Sequence, residues 1–152
     1  MDLRKIGKLK VITVLAESGL EDAARLMREN HVGDVVVVEN RNGKHVAVGM
    51  LTDRDIVLAT IALGAPVNAL VVGDIMSTDL VTVNAESSLS RVIELMKERG
   101  VKRIPLTGEG KEVLGIIALE DVTRFLAHEL SALAEVSLRQ KEVETLRRRK
   151  FA

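Results

Sequence analysis

Thr52 and Asp55 stand three residues apart in the stretch Gly-Met-Leu-Thr-Asp-Arg-Asp-Ile, Gly49 to Ile56. Their types suit the two polar parts of a nucleotide. A carboxylate accepts from both vicinal hydroxyls of a ribose, each charge-assisted bond contributing about 1.5–3 kcal/mol. A hydroxyl at the start of a helix, beside unpaired backbone N–H groups, suits a phosphate. Gly49 removes a side chain where a ligand or a neighbouring strand must approach closely. The same threonine and aspartate at this spacing also form a helix capping box, which needs no ligand. The octet alone leaves both readings open. It is written a second time as Gly-Ile-Ile-Ala-Leu-Glu-Asp-Val, Gly115 to Val122, with Asp121 in the place of Asp55 but Ala118 in the place of Thr52. The alanine deletes the cap hydroxyl and the phosphate contact together.

The octets close two copies of a longer unit. Sliding the chain by 69 residues lays Val11 on Leu80 and matches Thr13/Thr82, Ala16/Ala85, Glu17/Glu86, Leu20/Leu89, Met27/Met96, Glu29/Glu98 and Val32/Val101. Past the second strand the shift drops to 66, which sets Gly49 on Gly115 and Asp55 on Asp121. The deletion falls among turn residues, where length changes are tolerated. Each copy reads strand, helix, strand, strand, helix. The segments from Val11 and Leu80 are short and rich in β-branched residues. Ser18 with Glu21 has capping-box spacing and predicts the start of the first helix. The apolar positions Leu20, Ala23, Ala24 and Met27 recur at helical spacing, as do Leu89, Val92, Ile93 and Met96. Asn-Arg-Asn-Gly and Thr-Gly-Glu-Gly are hairpin signals. A unit of about 60 residues buries too little surface alone, so the copies are expected to share a core.

Composition narrows the chemistry. The chain has 152 residues, 47% hydrophobic and 29% charged, with 22 Lys plus Arg against 22 Asp plus Glu. A neutral balance draws it neither to nucleic acid nor to an anionic membrane. It has no cysteine, which removes thiol nucleophiles, disulfides and zinc–thiolate sites. No apolar run approaches the length of a membrane span, and the charged N-terminal stretch lacks a signal-peptide core, so a cytoplasmic location is expected. Two Phe are the only aromatics, with no Trp or Tyr. A bound base is then expected to lie between aliphatic side chains and to be read by backbone groups.

The unit that ends in Gly-h-h-Thr/Ser-x-x-Asp (h, hydrophobic), written twice, resembles the cystathionine-β-synthase (CBS) domain, and the tandem resembles a stand-alone Bateman module. The resemblance runs from about Val11 to His128 and includes the lead-in Ile75–Val83 and the stretch Arg99–Leu106. It implies an α/β (α+β) fold of two β-α-β-β-α repeats packed with pseudo-twofold symmetry, plus a C-terminal helix. It also implies two clefts between the repeats, which in this family commonly hold adenosyl ligands, and pairing into flat homodimers. Domain bounds of 1–68, 69–130 and a helical tail 131–152 result. One cleft is expected to join Met50, Leu51, Thr52 and Asp55 to Thr78, Leu80, Val81, Gly100, Val101, Lys102, Arg103 and Pro105 from the second repeat. The other joins Ala118 and Asp121 to His31 and Asp34. In that cleft Gly33 and Asp34 replace Lys102 and Arg103, and an acid where a cation should sit repels phosphate. Both departures, the lost hydroxyl and the acid, thus fall in one degenerate cleft, left empty or open to an uncharged or cationic adenosyl group such as S-adenosylmethionine.

The remaining candidates carry less. His31, His45 and His128 show no ligand spacing among themselves, and His31 reads as a loop histidine or a base contact. No metal cluster, nucleophile–base pair or Walker-type loop is present in the sequence. The C-terminal segment is loosely amphipathic through Leu130, Leu133, Val136, Val143 and Leu146, and ends in Arg147–Lys150. Cations suit a helix C-terminus; the segment is otherwise a dimer-stabilising or partner-binding helix. The expected function is a non-enzymatic sensor of AMP, ADP or ATP, with no cofactor required and no catalytic residue. The competing reading is a dimerisation scaffold whose motif is only a cap.

Overall fold

The computed structural model describes residues 2–151. The first unit holds β1 (Thr13–Leu15), α1 (Leu20–Asn30), β2 (Asp34–Arg41), β3 (Lys44–Thr52) and α2 (Asp53–Val57), which runs on as a π-helical turn, Leu58–Ala62. A short helix, α3 (Val72–Ile75), leads into the second unit: β4 (Val83–Asn84), α4 (Leu89–Arg99), β5 (Arg103–Thr107), β6 (Val113–Ala118) and α5 (Leu119–Phe151). Each unit has one three-stranded sheet with its second strand in the middle, parallel to the first and antiparallel to the third.

Local signals explain most of this. The β2–β3 hairpin closes on two residues, Asn42 and Gly43, with φ of 52° and 79°. Positive φ at both positions matches the right-handed twist of the flanking strands, and Asn-Gly tolerates it best. Val35 to Val38 are all buried. Successive strand side chains point to opposite faces, so Val35 and Val37 enter the first unit's core while Val36 lines a cleft against the second unit. One expectation fails. Ser18 does not cap α1: its hydroxyl accepts from the Leu15 N–H at 3.2 Å, closing the turn after β1, and the cap position is Gly19, with no side-chain bond. The corresponding cap in the second unit is Ser88, which accepts from the Arg91 N–H at 3.2 Å.

The units exchange their lead-in segments. Leu3 inserts into the core of the second unit, and Val72 into that of the first. The Leu3 N–H donates to the Ala85 carbonyl at 2.9 Å; the Gly73 N–H donates to the Ala16 carbonyl at 2.7 Å. Further on, Ser77 and Met50 bond to each other twice (2.8 and 3.0 Å), as do Lys8 and Ile116 (2.8 and 2.9 Å). The shift of 69 pairs Leu3 with Val72, Ile6 with Ile75 and Lys8 with Ser77, so the repeat begins well before Val11. These contacts give the motif glycines their role. A Cβ on Gly49 would stand 2.8 Å from the Ser77 carbonyl oxygen, and one on Gly115 2.9 Å from that of Lys8. The close approach at Gly49 is that of the second unit's lead-in segment, at Met76 and Ser77.

Candidate functional site

The capping box at Thr52 is complete. The Asp55 N–H donates to Thr52 Oγ1 at 3.1 Å, and the Thr52 N–H donates to Asp55 Oδ2 at 2.9 Å. Capping leaves the binding chemistry intact. A hydroxyl has one proton and two acceptor lone pairs, so Thr52 accepts in the cap and still has its O–H to donate. A carboxylate has about four acceptor sites, and among the described residues only Asp55 Oδ2 is engaged. The second copy keeps half of this arrangement. The Ala118 N–H donates to Asp121 Oδ2 at 3.0 Å, while Asp121 Oδ1 pairs with Arg124 Nη1 at 3.4 Å. Asp121 is 4% exposed and already has partners on both oxygens.

Each octet lies on a cleft that draws on both units. The first, of about 310 Å³, is lined by Met50, Thr52 and Asp55 from one side and Leu80, Val81, Val101, Lys102 and Arg103 from the other. Four expected residues do not line it. Leu51 is fully buried in the first unit's core; Pro105 is buried inside β5; Gly100 is the left-handed C-cap of α4, φ 62°; Thr78 is exposed at the lead-in. Ser77, Asp79 and Asp34 line it instead. The second cleft, of about 360 Å³, holds the four residues expected there: His31, Asp34, Ala118 and Asp121.

The charges do not divide as the sequence suggests. Asp34 opens β2 and Arg103 opens β5, equivalent positions under the shift of 69. They meet across the pseudo-twofold axis as an ion pair, Nη1 to Oδ2 2.6 Å, and both side chains line both clefts. Asp34 therefore does not stand as a bare acid in the second cleft. That cleft also has Lys8, Lys10 and Arg124, against Glu120 and Asp121. Cations on the lead-in and on α5 supply what the Gly33–Asp34 position lacks. A backward extension of the repeat marks Lys8, and opposite charges at equivalent positions mark the pair.

Burial pushes the Asp34 carboxyl up from its ordinary value; the nearby Asp53 and Glu120 add to this, and Arg103 opposes it. Its folded pKa thus lies above its unfolded one. Between the two, the folded chain holds a proton that the unfolded chain has released, so stability falls as pH rises through that window and is level above it. Urea unfolding of wild type and Asp34→Asn from about pH 4 upward should show wild type losing stability relative to the variant, then a constant offset. A rising difference would mean that Arg103 outweighs burial.

Two units that exchange lead-ins around a pseudo-twofold axis, with a cleft on either side, define a paired α/β module whose clefts each draw on both halves. The chain belongs to the CBS domain family and is a CBS pair, a regulatory module: the CBS domain model matches residues 4–61 and 72–128. The CBS domain-containing protein YhcV of Bacillus subtilis is 38% identical over 113 residues, covering 74% of this chain and 76% of that protein. Hypoxic response protein 1 of Mycobacterium tuberculosis is 32% identical over 123 residues, covering 81% and 83%. A solved structure of Hypoxic Response Protein I with two coordinated zinc ions matches with a TM-score of 0.70 at 30% identity, covering 82% of this chain and 98% of that one. The uncharacterized protein MK0525 of Methanopyrus kandleri is 27% identical over 131 residues, 86% of this chain but only 65% of that protein. Among the described residues of this chain, no group of three or more His, Cys, Asp or Glu could hold a metal ion. No described helix is long and apolar enough to cross a membrane.

Proposed function

We propose that this CBS pair is a non-enzymatic sensor that binds one adenine nucleotide per chain, AMP, ADP or ATP, in the cleft of Thr52 and Asp55. One observation carries the reading: a hydroxyl with its proton left to donate and a carboxylate with a spare oxygen share a cleft with Lys102 and Arg103. Asp55 accepts from the ribose hydroxyls. Thr52 and Arg103 hold the phosphate, Arg103 through a planar fork suited to its geometry. Leu80, Val81, Val101 and Met50 supply aliphatic walls for the base.

The output is a population shift: a nucleotide that binds one arrangement of the units better favours that arrangement. In a homodimer, α5 conveys it to a regulated partner. Leu130, Leu133, Val136 and Leu138 are exposed along that helix.

A scaffold reading has its own support in the complete capping box, which holds α2 without any ligand. Calorimetric titration of nucleotide-stripped protein with AMP, ADP, ATP and S-adenosylmethionine separates the two. One saturable nucleotide site per chain supports the sensor. No heat from any of the four leaves Thr52 and Asp55 a cap and the protein a scaffold.

A further inference from the structure

The shared ion pair gives the nucleotide site a further property, one that rests on the sensor reading. Arg103 has two potential partners that it cannot fully serve at once. One is Asp34, 2.6 Å away and itself 9% exposed. The other is the phosphate of a ligand beside Thr52, in a cleft that Arg103 also lines. The Arg103 side chain is 41% exposed, so the guanidinium has room to turn from one to the other. Asp34 is fixed at the first residue of β2, in register with Thr52. Among the described residues its one ion-pair partner is Arg103. When the guanidinium leaves, a mostly buried carboxylate is stranded between Asp53 and Glu120, the two acids close enough to bear on it. Removing one member of a buried pair is costly because the other charge stays behind.

We propose that Asp34 sets how strongly the first cleft responds to phosphate, by competing with it for Arg103. A ligand without a phosphate leaves the pair closed. A ligand with one opens it, and Asp34 then turns its unpaired charge to the second cleft, whose wall it also forms. An anion in the first cleft therefore disfavours an anion in the second and favours a cation there. The two clefts are linked through one side chain.

The test is a double-mutant cycle read as the ratio of AMP affinity to adenosine affinity, by calorimetry on the full chain, with melting temperatures confirming that each variant folds. The asparagine in Asp34→Asn keeps the shape and removes the charge, and should raise the ratio about two- to fivefold, the size of one partly exposed charge pair. Arg103→Gln should lower the ratio, and adding Asp34→Asn to it should then change nothing. Competition is overturned if Asp34→Asn leaves the ratio as in wild type, or moves AMP and adenosine together. It is equally overturned if the effect survives in Arg103→Gln, because Asp34 would then act on the phosphate directly. If neither AMP nor adenosine binds wild type, the sensor reading fails and this inference falls with it. AMP binding with no Asp34 effect removes the inference alone.

Discussion

Asp55→Ala is expected to weaken nucleotide binding about ten- to a hundredfold. The loss corresponds to about one charge-assisted bond from a ribose hydroxyl to a carboxylate with a spare oxygen. The cap complicates this variant, because alanine also orphans the Thr52 N–H, which donates to Asp55 Oδ2 at 2.9 Å. Asp55→Asn separates the effects: its amide oxygen can still accept from Thr52, so the melting temperature should stay near that of wild type. The uncharged amide holds ribose hydroxyls more weakly, so most of the affinity should still be lost. Asp121→Ala should alter nucleotide affinity far less, since Asp121 lies on the other cleft with both oxygens engaged. Equal affinities in wild type, Asp55→Asn and Asp55→Ala would sink the site assignment.

Leu3→Ala should be among the most destabilising single changes in the chain, although it sits almost at the N-terminus. Leu3 is fully buried against Val83, Ala85, Ile104 and Leu106 of the second unit. Truncating a buried leucine costs about 2–5 kcal/mol, the spread reflecting how far the cavity collapses. For a chain of this size each kcal/mol moves the melting temperature by about 2–4 °C, so a fall of about 4–20 °C is expected in scanning calorimetry. Leu9→Ala is the control: Leu9 is 63% exposed in the same segment and should be nearly silent. A Leu3→Ala midpoint within a degree of wild type would show that the lead-in is not part of the core.

The sequence makes the fold legible because each element carries its own signal. Asn42–Gly43 dictates a two-residue turn, Thr52 and Asp55 satisfy each other's backbone, and the duplicated octet fixes where each unit ends. Most of the first cleft is also legible, since the two stretches that build it, around Thr52 and around Arg103, are short motifs. One miss is local and the others are long-range. Ser18 has the spacing of a cap, but its hydroxyl is spent on Leu15. Leu51 and Pro105 sit in strands that do flank the cleft, yet their side chains are buried. Which strand residue faces a cleft depends on how the sheets pack, and local spacing does not state it. Lys8, Lys10 and Arg124 reach the second cleft only through the exchange of lead-ins and the course of α5.

That helix runs unbroken through residue 130, where the sequence placed the edge of the second repeat. Its 33 residues, at about 1.5 Å of rise each, make a rod about 50 Å long. The rod is rooted at both clefts. The Leu119 N–H donates to the carbonyl of Lys102, a residue of the first cleft, at 2.8 Å, and Asp121 and Arg124 line the second. At that length one degree of tilt at the root carries the tip through about 1 Å. In the proposed sensor, α5 would act as a lever arm: a tilt of a few degrees imposed by a ligand at the root would carry the tip through several ångströms.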